Sequence, residues 1–98
     1  MDLKLSDNRA IEINPRDAEA YTNRGVAYLG QEQYYRALSD FDKAIEINPQ
    51  IAAAYSNRGI VYMQKFGYKD RACSDWKRAC ELGDCRNYKK AKDWGDCK

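Results

Sequence analysis

The hexapeptide Ala10-Ile11-Glu12-Ile13-Asn14-Pro15 returns 34 residues later as Ala44-Ile45-Glu46-Ile47-Asn48-Pro49. The stretch Ala20-Tyr21-Thr22-Asn23-Arg24-Gly25-Val26-Ala27-Tyr28 returns at the same offset of 34 as Ala54-Tyr55-Ser56-Asn57-Arg58-Gly59-Ile60-Val61-Tyr62. Two separate stretches agreeing on one period is a much stronger signal than one match. A period of roughly 20–50 residues marks stacked repeats, each a supersecondary unit that buries its apolar face against its neighbours.

Each unit reads as two helices. After Pro15, the residues Tyr21, Gly25, Tyr28 and Leu29 recur at helical spacing, and Asp17 suits a helix N-terminus. Gly25 inside such a pattern costs about 1 kcal/mol relative to Ala, which points to close approach by a second helix. Tyr34, Ala37, Leu38, Phe41, Ala44 and Ile45 supply that partner, with small Ala37 and Ala44 beside bulky Phe41. Pro49 cannot continue the helix and closes the unit. Helices are expected near 3–13, 16–30, 33–47, 50–64, 68–82 and 85–94.

The positions Tyr21, Arg24, Gly25, Tyr28, Ala37, Phe41 and Pro49 resemble the tetratricopeptide repeat. A second copy reads Tyr55, Arg58, Gly59, Tyr62, Ala72 and Trp76. Tyr21 and Tyr55 stand where the family often has Trp, and Arg24 and Arg58 where it often has Leu. The second copy carries one extra residue, placed in the turn around Phe66-Gly67-Tyr68, and ends on Gly83-Asp84 in place of Pro. The resemblance implies an all-α fold: a short tetratricopeptide-like superhelix of antiparallel helix pairs. One domain over 1–98 is expected, with a half repeat at 3–15, repeats at 16–49 and 50–84, and a capping helix and tail at 85–98.

The incomplete N-terminal repeat presents Leu3, Leu5, Ile11 and Ile13 without a first helix of its own to cover them. Pairing of two copies through that helix, a homodimer, is therefore one expectation. At the other end Tyr88, Ala91 and Trp94 share one helix face, and Lys89, Lys90 and Lys92 would face water, as suits a cap.

Cys73, Cys80, Cys85 and Cys97 all fall in the last 26 residues. Core filling is one reading, because Cys73 aligns with Leu38 and Cys80 with Ile45, and free Cys behaves as a small hydrophobe. Bridging is a second. An antiparallel turn at Gly83-Asp84 brings Cys97 towards Cys73 and keeps Cys85 near Cys80. The stretch 79–84 is also similar to the related cysteine-rich Sel1-like repeats, which form disulfides at a different spacing. Zinc is a third, poorly served by these spacings and by the absence of His.

Without His the common triads and the commonest general base are missing, and no phosphate-binding glycine loop occurs. An enzyme is not expected, nor a cofactor or metal. A net charge of +2 gives nucleic-acid binding no support, and no apolar run approaches the ~18 residues of a membrane span. No secretory signal is visible, so a cytoplasmic location is the default expectation. Charge is uneven, however. Residues 1–64 hold 7 Lys/Arg against 9 Asp/Glu, and residues 65–98 hold 10 against 6. An acidic partner suits the basic end.

The resemblance implies a protein–protein interaction module that binds a peptide or partner protein in a concave groove lined by first helices. Groove candidates are Glu19, Thr22, Asn23 and Val26, then Ala53, Ser56, Asn57 and Ile60, with Arg86 and Lys90 from the last helix. Some relatives clamp a peptide's terminal carboxylate. Asn57, Arg86 and Lys90 match that pattern, while Thr22 and Val26 replace an expected Lys and Asn. A looser site for acidic peptides is the better expectation.

Overall fold

The computed structural model describes residues 3–97, with side chains from Asn8 onward. It is all-helical: α1 (Leu3–Ile13), α2 (Ala18–Gly30), α3 (Tyr34–Ile47), α4 (Ala52–Val61), α5 (Lys69–Glu81) and α6 (Arg86–Asp93). No strand occurs among the described residues. A π-helical turn, Tyr62–Phe66, extends α4 and ends on Gly67 in the left-handed region at φ 64°. This is the segment where the second copy is one residue longer than the first.

Short turns join the helices, so neighbours run antiparallel and each packs on the next, while α2 also touches α4. The result is an elongated body of 42 × 25 × 21 Å. Local chemistry sets the breaks. The Asn14 side chain accepts from the Arg16 N–H at 3.1 Å, and Asn48 repeats this on Gln50 at 3.1 Å. These Asx turns start each loop beside its Pro. The Asp17 carboxylate then accepts from the Ala20 N–H at 3.0 Å and caps α2.

Among the described residues, three apolar clusters form the core along the stack. Ala18, Ala44 and Ala54 meet between α2, α3 and α4; Tyr28, Ala37, Phe41 and Val61 meet in the middle; Ala72, Trp76, Ala91 and Cys97 meet at the C-terminal end. Gly25 lets the Phe41 ring lie directly on the α2 backbone, since a Cβ there would stand 2.6 Å from Phe41 Cε1. Gly59 does the same for Trp76, whose indole N–H donates to the Ser56 carbonyl at 3.1 Å.

Two cationic pins recur with the repeat. Arg24 of α2 donates to both oxygens of Asp40 on α3 (2.8 and 2.7 Å) and to Asn8 on α1 (2.7 Å). Arg58 of α4 donates to both oxygens of Asp75 on α5 (2.9 and 2.8 Å) and to Asp42 on α3 (3.0 Å). Each guanidinium therefore joins three helices. Hydrogen bonds to these carboxylates raise both arginines above their ordinary pKa.

The cysteines are bridged as Cys73–Cys97 and Cys80–Cys85. This replaces the core-filling reading of Cys73 and Cys80. Both stand on one face of α5 two turns apart, and the chain reverses so that Cys85 and Cys97 come to them from either end of α6.

Candidate functional site

α4 presents Ala53, Ser56, Asn57 and Ile60 at spacings of three, four and seven, which puts them on one face of the helix. α6 lies beside that face. Together with Asp84, Arg86, Asn87 and Lys90 these residues line an open depression of about 270 Å³. Asn87 ties the two walls together by donating its amide N–H to the Ser56 hydroxyl oxygen at 2.7 Å.

Several sequence-derived groove residues come together here: Ser56, Asn57, Ile60, Arg86 and Lys90. Glu19, Asn23 and Val26 are exposed on α2 but do not line this depression. Thr22 must be corrected. It is buried at 3% exposure, on a stripe with Ala18 and Gly25, and its hydroxyl donates to the Ala18 carbonyl at 2.9 Å. A short hydroxyl can satisfy itself on the preceding turn and so be buried without penalty. Ser56 is also buried, at 6%, and forms floor rather than rim.

Sequence reasoning missed Asn87 and Asp84. The signal for Asn87 was its spacing of three from Lys90 on one short helix. Asp84 has a larger effect on the site's charge. The Arg86 guanidinium donates to both its oxygens (3.0 and 3.1 Å), and the Arg86 backbone N–H donates to it as well. These bonds, the side-chain ones first, hold the Asp84 carboxyl below the usual carboxylate range against the opposing effect of burial. Arg86 is thus partly neutralised on its own turn. Lys90 is exposed and has no ion-pair partner among the described residues. One amide N–H of Asn57 is occupied by the Ala53 carbonyl at 2.8 Å.

A larger depression of about 580 Å³ lies over α2 and α3, beside Tyr21, Arg24, Asp40, Asp42, Lys43 and Glu46. Its charges are committed to one another or to the pins: Arg24 to Asp40, Arg58 to Asp42 and Lys43 to Glu46. The smaller α4–α6 depression keeps a cation, Lys90, with no ion-pair partner among the described residues, and two half-buried amides, so it is the better site for a ligand.

Residues 18–51 match the family model of the tetratricopeptide repeat, a span that holds α2, α3 and the Asn48-Pro49 turn. That span, about a third of the chain, is similar to a tetratricopeptide repeat. No curated protein matches the chain. Tetratricopeptide repeats are in general non-catalytic modules for protein–protein interaction, and the α4 wall of the depression continues the stack of the matched repeat. No helix among the described residues is long and apolar enough to cross a membrane.

Proposed function

We propose that the depression between α4 and α6 receives an extended, acidic segment of a partner protein. The observation that carries this is the convergence of Lys90, Arg86, Asn57 and Asn87 on one open surface, with Ile60 as its apolar element. Lysine and arginine there supply the attraction, and side-chain amides can both donate to and accept from a peptide backbone. Glu19, Asn23 and Val26 on α2 would meet the segment beyond the depression. Lys90→Glu should lower affinity for an acidic peptide and weaken its salt dependence, read by calorimetry at two salt concentrations. Unchanged affinity in that variant would remove the surface from consideration.

The two bridges favour an oxidising compartment over the cytoplasm for this activity, because disulfides persist where thiols are not kept reduced. A second reading is self-association through α1. It rests on Ile13, which is 77% exposed at the end of that helix, beside half-buried Ile11. Leu3 and Leu5, the other residues of that reading, have side chains outside the described set.

A further inference from the structure

The α6 wall of the groove has little of its own to hold it in place. The helix has eight residues, far below the roughly 12–15 at which an isolated helix is even marginal in water. Of its residues only Ala91 is buried, and Tyr88 is half-buried. The remainder is cationic or polar, with Lys89, Lys90 and Lys92 exposed. Its non-covalent ties are the packing of Ala91 and Tyr88 in the cluster with Ala72 and Trp76, the Asn87–Ser56 bond, the tail N–H groups of Asp96 and Cys97 on the Ala91 carbonyl, and an exposed Lys69–Asp96 pair at 3.4 Å.

Covalent ties bracket it instead. Cys85 immediately precedes Arg86 and is joined to Cys80 in the last turn of α5. Cys97 follows the helix and is joined to Cys73 two turns back on the same α5 face. Both ends of α6 are therefore fastened along one helix that is itself anchored by Trp76 and by the Arg58–Asp75 pin.

We propose that these two bridges make the groove redox-dependent: the wall carrying Arg86, Asn87 and Lys90 stands in the oxidised chain and detaches on reduction. This rests on the groove reading above and adds its regulation. The chemistry is thiol–disulfide exchange with a dithiol reductant. Each bridge takes up two electrons and two protons and becomes two thiols, while the reductant closes to its own disulfide. Once released, α6 loses the Asn87 contact with Ser56, and the depression loses one side. The α2–α4 body keeps its core, because Phe41, Val61 and the Arg24–Asp40 pin do not depend on either bridge.

The test compares the full chain oxidised and after reduction by dithiothreitol, with free thiols counted. Hydrogen exchange should accelerate at least about tenfold at the α6 amides and by less than about twofold in α2 and α3, as for opening of a local unit. A fluorescein-labelled octapeptide of alternating Glu and Ala should bind the oxidised chain and lose at least about fivefold in affinity on reduction, as expected when a cationic wall leaves. The variants C80S/C85S and C73S/C97S should each show part of the exchange effect without reductant. Equal α6 protection in the fully reduced chain overturns the proposal. So does parallel loss of protection in α2 and α3, which would make the bridges global staples. Failure of the oxidised chain to bind the probe would count against the groove reading alone, since the exchange measurement still decides whether α6 is conditional.

Discussion

The Arg58 guanidinium grips the Asp75 carboxylate through two parallel hydrogen bonds of 2.9 and 2.8 Å, with the two side chains only 20% and 7% exposed. Arg24 and Asp40 repeat the arrangement one unit earlier, at 22% and 5%. A paired, bidentate charge can be buried, but a carboxylate left alone in the same place cannot be without a large desolvation cost.

Arg58→Met should therefore destabilise the chain by about 3 kcal/mol, chiefly because Asp75 is left buried and unpaired. Asp42 is 60% exposed, so Asp42→Ala should cost less than about 1 kcal/mol although it contacts the same guanidinium. The double variant Arg58→Met, Asp75→Leu should recover much of the first loss. Urea unfolding of the three variants checks the order. Equal losses at Asp42 and Asp75 would contradict it.

Much of this architecture is legible in the sequence, and the remainder is missing for identifiable reasons. The helix pairs follow from apolar spacing and from Pro15 and Pro49, because those signals are local. The Arg pins do not, although Arg24 and Arg58 stand out as departures from the family pattern. Their partners lie 16 or 17 residues away on other helices, where no periodicity links them. Thr22 reads as a surface residue by type, but it lies on the buried stripe with Ala18 and Gly25, and its bond to the Ala18 carbonyl satisfies the hydroxyl there. The cysteine spacing allows bridging without selecting it, since the choice depends on how α6 folds back on α5.

Gly25 faces the Phe41 ring, which has no exposed surface into which to retreat. Gly25→Ala gains about 1 kcal/mol in helix propensity and loses about 1–3 kcal/mol to overpacking, for a small net loss. Gly25→Leu keeps the larger clash and should lower the melting temperature by several degrees, on the order of 4–8 °C per kcal/mol for a domain of this size. A Leu variant that melts with the parent would mean that α2 and α3 are not in close contact there.

The Asp84 carboxyl lies below its ordinary value, so its contribution to the α5–α6 turn is present above the unfolded-state value near ~3.9 and is lost as pH falls through the folded one. Carboxyl-carbon NMR should place the Asp84 midpoint below that of an exposed aspartate. In Arg86→Ala it should return upward, since the Arg86 side chain is the main cause of the shift. An unmoved midpoint would show that the pair does not form in solution.

If α1 mediates self-association, replacing Ile11 and Ile13 with Lys should convert a dimer into a monomer in light scattering, because each buried Ile contributes about 1.5–3 kcal/mol. A parent that is monomeric at high concentration would end that reading and leave the single-chain groove as the account.

The groove is tested most directly by side-chain amide NMR of Asn57 and Asn87 during titration of the oxidised chain with the octapeptide of alternating Glu and Ala. Their resonances should shift together and saturate with one binding constant, accompanied by Ile60 and Lys90, while the α1 and α3 signals stay still. Shifts clustered instead around Arg24, Asp40 and Lys43, or no saturable shift at Asn57 and Asn87, would contradict a binding site between α4 and α6.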